Sequence, residues 1–322
     1  MPLESIRSLV QTDLNATDTF ICTELLSDIP LINQMVEYIL TCGGKRIRPL
    51  LVLLTARALD HEGQQHIDLA AAIELIHTAT LLHDDVVDSS ALRRGNKTAN
   101  NIWGSEASVL VGDFLYSRAF QLIVKLQNLE IMNIFANATN LIAEGEVLQL
   151  INCHDPDTTE KAYYEVIQRK TAKLFEVASQ IGTALCNYDA QQMTAMQTYG
   201  LSLGTSYQLI DDALDYSSSA AEMGKNIGDD LAEGKPTLPL IHALRNGTKT
   251  EIKLIRKAIE TGSTKNLQSI LAIIESTRAI EYTANAAKLH ASQAIDSLIH
   301  IPESPYRKAL HDLAEFVVAR KY

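Results

Sequence analysis

The chain has 322 residues, 46% of them apolar, and a formal net charge of −11. That apolar share supports a substantial core, while the acidic balance excludes nucleic acid or an anionic membrane surface as the main partner, since both demand a basic face. Four scattered cysteines, Cys22, Cys42, Cys153 and Cys186, form no CxxC pair and read as small buried residues of a reduced, cytoplasmic protein.

Along the chain, the opening MPLESIRSLVQTDLN lacks the apolar core of a secretory signal. Gly43-Gly44-Lys45-Arg46-Ile47-Arg48-Pro49 reads as a glycine-ended helix, a basic loop and a proline-started helix. The stretch Ile67–Asp88 places Ile67, Ala70, Ala71, Leu75, Thr78 (by its methyl), Leu81 and Leu82 at a helical period. Similar patterns predict helices over about Glu106–Leu150, Glu160–Leu185 and Gln191–Tyr216 and, less regularly, Pro239–Ala319. No apolar run, Leu50–Leu54 included, approaches the roughly 18 residues of a membrane span. Prolines are absent between Pro49 and Pro156 and again up to Pro236, too few turn signals for a sandwich or barrel. No linker or low-complexity tract divides the chain, so residues 1–322 are expected to form a single all-α domain of packed helices.

The chemistry gathers at two echoing segments. Asp84, Asp85 and Asp88 follow Leu81-Leu82-His83, and Asp211, Asp212 and Asp215 follow Leu209-Ile210. On a helix Asp84 and Asp88 share a face, and like charges at that spacing repel. A divalent cation such as Mg²⁺ removes the conflict by taking carboxylate oxygens on one side and phosphate or water on the other. A solvated helix end would explain one such cluster but not two. Cations recur along the chain: Lys45 and Arg48, Arg93-Arg94, Lys170-Thr171-Ala172-Lys173, Lys225 and Lys235. Carboxylates with fixed cations suit a highly charged diphosphate ligand. His77 lies two turns before Asp84 on the same face, and Gln208 three residues before Asp211. Taken singly, each also reads as an ordinary packing residue.

GGKRIRP, LLHDDVVD followed by RRG, KTAKLF, QLIDD with Asp215, and GKPTLP stand in the order that resembles trans-isoprenyl diphosphate synthases. IHTATLLHDDVVD, ASVLVGDF, AEGEVLQL and GDDLAEGKPTLPL are similar to the bacterial octaprenyl-forming members of that family. The resemblance covers nearly the whole chain. It implies an isoprenoid-synthase helical bundle around a deep central cavity, a homodimer, and both aspartate motifs at the cavity mouth. It implies that Asp84, Asp88 and Asp211 hold Mg²⁺, supported by Asp85, Asp212 and Asp215. Arg93, Lys170, Thr171, Gln208 and Lys235, with Lys225 nearby, would contact the allylic diphosphate, farnesyl diphosphate being the expected primer. Lys45, Arg48, His77 and Arg94 would hold isopentenyl diphosphate. Product length would be set beneath the first motif by Ile76, Ala79 and Thr80, with Ile131 or Phe135 as the floor. A very apolar product implies transient membrane contact at release. A terpene cyclase, an HD-type phosphohydrolase reading of His83-Asp84 and a non-catalytic synthase subunit are the rival readings. The form of the second motif and the Lys45–Arg48 loop argue against the first, the presence of only His77 as a further histidine close in sequence against the second, and the intact aspartates against the third.

Overall fold

The computed structural model describes residues 2–41, 43–93, 95–217 and 227–320. It is 78% helical. In chain order the helices are α1 (Leu3–Ser8), α2 (Gln11–Glu24), α3 (Pro30–Thr41), α4 (Ile47–Ala58), α5 (Gln65–Val87), α6 (Ala99–Trp103), α7 (Ser105–Lys125) and α8 (Leu129–Asn152). There follow α9 (Glu160–Ile167), a π-turn over Gln168–Ala172, α10 (Lys173–Ala184), α11 (Ala190–Asp215), α12 (Asp229–Ala232), α13 (Leu238–Asn246), α14 (Lys249–Thr261), α15 (Leu267–Ser276), α16 (Ala279–Ser297) and α17 (Pro305–Val318). Between α5 and α6 a two-residue ladder, β1 (Leu92–Arg93) and β2 (Asn96–Lys97), pairs antiparallel with Arg93 opposite Asn96. Gly95, at φ +78°, makes its turn, a conformation that costs glycine no Cβ clash.

Two compact units emerge, one of residues 1–136, 177–197 and 298–313, the other of 137–176, 198–297 and 314–322. Four of their five boundaries fall inside α8, α10, α11 and α17, and the fifth at the end of α16. In the first unit, α4 buries Leu50, Leu51, Leu53 and Leu54 on all sides, and α5 buries Leu69, Ile73 and Ile76. A helix apolar all round belongs inside a core rather than on a surface. In the second unit Tyr163, Ile167, Leu209, Ile210, Leu214 and Leu238 form one apolar cluster, and Leu231, Leu240, Ile255, Ile259 and Ile270 belong to another.

Three sequence expectations are refined. The predicted helix over Glu106–Leu150 is two helices, parted near Gln127 at φ +53° without glycine or proline. The one over Glu160–Leu185 contains the π-turn, and Pro239–Ala319 breaks into α13 to α17. By length and composition alone, α7 is long and apolar enough to cross a bilayer, which the sequence reading did not anticipate. It packs along α5, however: Ser108 Oγ donates to Leu82 O at 3.1 Å, and Gly112 lies against the His83 ring. It also carries Glu106, Asp113, Arg118 and Lys125 along its length.

Candidate active site

Both aspartate motifs end their helices. Asp84 and Asp85 sit in the last turn of α5 with Asp88 as its C-cap, and Asp211, Asp212 and Asp215 fall in the last five residues of α11. Neither helix has a basic residue in its last turn. Carboxylates at the negative end of a helix dipole each lose about 0.3–1 kcal/mol, so six of them at two such ends call for a bound cation. This donor set, hard oxygens clustered on one turn, fits a divalent ion such as Mg²⁺.

In the first unit the basic loop before α4 divides its labour. Arg46, at φ +49°, turns its guanidinium to the buried Glu74, with Asp18 at 3.9 Å. Arg48 Nη1 lies 3.0 Å from His77 Nε2. A guanidinium only donates, so His77 accepts at Nε2 and carries its proton on Nδ1. Two of the four residues assigned by resemblance to isopentenyl diphosphate, Arg48 and His77, are therefore in contact, while Lys45 is exposed on the same loop. Arg93 grips Asp85 through Nε at 2.9 Å and Nη2 at 2.8 Å. Asp85 is buried; burial lifts its carboxyl above the ordinary range, with Arg93 pulling the other way. Ile76, Ala79, Ile131 and Phe135 are buried and Thr80 is half-buried. A small apolar recess in this unit is lined by Leu75 and Thr78 of α5 with Ile21, Leu25, Val36 and Leu115.

In the second unit a hydrogen-bonded chain runs from Thr171 to Tyr163. Thr171 Oγ1 donates to Gln208 Oε1 at 3.1 Å, Gln208 Nε2 donates to Asp212 Oδ1 at 2.7 Å, and the Tyr163 hydroxyl donates to Asp212 Oδ2 at 2.5 Å. Burial, with Asp230 nearby, pushes the Asp212 carboxyl up to about 8 despite those two donors. Asp215 accepts from the Asp230 amide at 3.2 Å and gives its carbonyl to the Gly228 amide at 2.9 Å, tying the end of α11 to the loop that carries Lys235. Lys170 and Lys235 pair with Glu146 and Glu233, each at 2.5 Å. Arg94 and Lys225 lie outside the described residues.

Two site residues escaped the sequence reading. Arg320 Nη2 lies 2.6 Å from Asp211 Oδ1, its guanidinium stacked 4.8 Å from the Tyr207 ring centroid. It stands near the chain end with no motif around it. Glu146, partner of Lys170, looks in sequence like any surface glutamate of a helix. The i,i+4 spacing of Tyr207 from Asp211 and of Gln208 from Asp212 is the one signal that could have drawn attention to this face.

The polyprenyl synthetase family profile matches residues 29–276. Octaprenyl diphosphate synthase of Haemophilus influenzae is 50% identical over 323 residues, covering 100% of this chain and 98% of its own. That of Escherichia coli K12 is 49% identical over 321 residues, 99% of either chain. A crystal structure of polyprenyl synthase from Caulobacter crescentus, complexed with calcium and isoprenyl diphosphate, superposes with a TM-score of 0.96 at 40% identity, covering 100% of this chain and 98% of that one. The all-α fold is thus the isoprenoid-synthase fold, and the chain belongs to the polyprenyl synthetase family of prenyltransferases.

Proposed function

We infer that this chain is a Mg²⁺-dependent synthase that adds several isopentenyl diphosphate units to an allylic primer, farnesyl diphosphate, to give octaprenyl diphosphate for the ubiquinone side chain. The observation that carries the reading is full-length identity of 49–50% to two octaprenyl diphosphate synthases, with both aspartate motifs intact. Asp84, Asp88 and Asp211 are the metal ligands, and Asp85, Asp212 and Asp215 fix their surroundings. Bound magnesium supplies Lewis-acid stabilisation of the departing diphosphate. Arg93, Lys170 and Lys235 hold that diphosphate, Lys225 being assigned to it by the same resemblance, and their charges favour its departure over its return. Thr171 turns its hydroxyl oxygen toward the allylic cation, since its proton is committed to Gln208. Lys45, Arg48, His77 and Arg94 hold isopentenyl diphosphate so that its alkene attacks that cation. The proton then lost goes to the released diphosphate.

A small side chain at Ala79, with Thr80 and Ile76 beside it, lets the growing chain pass beneath the first motif toward Ile131 and Phe135. The enzyme works as a cytoplasmic homodimer and touches the membrane transiently as product leaves. The test is incubation of the pure protein with Mg²⁺, farnesyl diphosphate and labelled isopentenyl diphosphate, with products separated by carbon number. A forty-carbon product is expected from the parent and a product of about fifteen to twenty carbons from Ala79→Tyr, because a ring one helical turn below the motif fills the path. No incorporation by the parent would overturn the synthase reading; an unshortened product from the variant would overturn the role of Ala79.

A further inference from the structure

Between α9 and α10 the helix takes one turn of i→i+5 hydrogen bonding over Gln168–Ala172. Such turns are poorer than α-turns and persist where neighbours impose them, often at functional sites. Burial records the inserted residue. At about 100° per residue, Ala172 in an unbroken α-helix would point away from the face that buries Tyr163 and Ile167. It is fully buried instead. The face that an unbroken helix would turn inward falls on Lys170 and Thr171, which here are only partly buried.

Two glycines from two other helices meet this turn at backbone distance. A Cβ on Gly145 of α8 would stand 2.7 Å from the Lys170 amide nitrogen and 2.8 Å from Arg169 Cβ. A Cβ on Gly204 of α11 would stand 2.6 Å from Ala172 Cα. The residues flanking Gly145 take the two successive cations of the turn: Glu144 pairs with Arg169 and Glu146 with Lys170, each at 2.5 Å. One helix thus offers carboxylate, bare backbone and carboxylate to the turn, while Gly204 admits it from α11.

We propose that Gly145 and Gly204 are positioning residues of the prenyl transfer, required because they admit the π-turn that aims Lys170 and Thr171 at the allylic diphosphate. This rests on the assignment of Lys170 and Thr171 to that substrate and names what holds them there. Contact with an alanine methyl at either glycine displaces the turn, and with it both side chains, while Lys45, Arg48 and His77 on the first unit stay as they are.

The experiment measures kcat and KM for each substrate separately, with circular dichroism and Tm, for Gly145→Ala, Gly204→Ala and Gly182→Ala. The last is a crowding control: its Cβ would stand 2.8 Å from Val52 O, on α10 beyond the turn and in the other unit. A misplacement of the order of 1 Å costs about a hundredfold, so kcat/KM for the allylic diphosphate is expected to fall about that much in the first two variants, with KM for isopentenyl diphosphate unchanged. A loss shared equally by both substrates, or matched by Gly182→Ala, overturns the inference. Deletion of Gln168, which restores a regular helix, covers the case in which a glycine variant does not fold. The deleted chain is expected to keep its helicity and bind labelled isopentenyl diphosphate while losing allylic turnover. Retained turnover, or failure of the deletion to fold, overturns the proposal. A Lys170→Ala variant separates the two levels. If it retains full allylic KM, the underlying assignment fails; if it loses affinity while the glycine variants do not, only the positioning role fails.

Discussion

Arg46 and Arg48 are two residues apart in one basic loop, yet do different work. Arg46 neutralises Glu74, which is 7% exposed, so its loss strands a buried carboxylate. Breaking such a pair costs about 3 kcal/mol. Arg48 spends its guanidinium on His77 and, in the proposed reaction, on a diphosphate. Arg46→Ala should therefore lower Tm clearly while KM for isopentenyl diphosphate barely moves. Arg48→Ala should raise that KM by about tenfold or more, the worth of one charge-assisted hydrogen bond, with a smaller change in Tm. Thermal melts and initial rates on the two purified variants check this, and the opposite assignment of effects would show that Arg46 is the substrate contact. Sequence alone could not divide them: both are arginines in GGKRIRP, and what separates them is the residue of α5 that each meets, buried Glu74 for Arg46 and His77 for Arg48. Arg320 was beyond reach for a related reason. Its meaning comes from Asp211, 109 positions earlier, and no local spacing encodes that pairing.

Helices were legible where one face is apolar over several turns. The predicted Ile67–Asp88 is α5 at Gln65–Val87, and Gln191–Tyr216 is α11 at Ala190–Asp215, each closing on its aspartates as expected. The π-turn was not legible, because nothing in Gln168–Ala172 itself marks i→i+5 bonding and the glycines that admit it, Gly145 and Gly204, stand on other helices. Nor was the β1–β2 ladder, whose two-residue strands are too short for any alternation. The aspartate-closed ends of α5 and α11 carry their own prediction. Ligands that bind only the folded state stabilise it by mass action, about 2.7 kcal/mol at a hundred times Kd, or roughly 5 °C for a chain of this size. Because inorganic diphosphate and the carboxylates are both anionic, neither metal nor diphosphate should act fully without the other. Millimolar Mg²⁺ and diphosphate together should raise Tm more than the sum of their separate effects, and chelation should reverse it. Asp84→Asn should blunt the joint shift. A shift given by diphosphate alone would mean that the cations, not the aspartates, dominate binding.

For the whole molecule two electrostatic effects compete as pH falls. The net charge of −11 shrinks toward the isoelectric point near 5.3, relieving self-repulsion and favouring the compact state. Against this stand histidines buried in their neutral form. Burial holds His66, fully buried on α5, below its ordinary pKa of 6.5, although Asp13 lies 3.2 Å away and pulls upward. His61 and His290 are likewise depressed, chiefly by burial. A histidine depressed in the folded state is more readily protonated when unfolded, so its contribution to stability is whole above 6.5 and is lost as pH falls through the folded value. Within that window a single such group changes stability by about 1.4 kcal/mol per pH unit. Asp13, half-buried yet brought below 3.8 by Arg57 and His66, adds a loss only in a lower window. Diffuse surface repulsion is screened beyond about 8 Å at physiological salt, whereas His66 sits where no salt reaches. Asp212 and Asp85, whose carboxyls burial raises, side with the first effect, because they take up protons more readily in the folded state. The histidine contribution is therefore read as a difference between two melting curves. His66→Asn, which cannot take up a proton, should start with a lower Tm than the parent at pH 7, and the gap should narrow as pH falls below 6.5 toward 5.5. A gap that stays constant over that range would mean that net charge and the carboxylates, rather than the histidine beside Asp13, govern how this molecule answers acid.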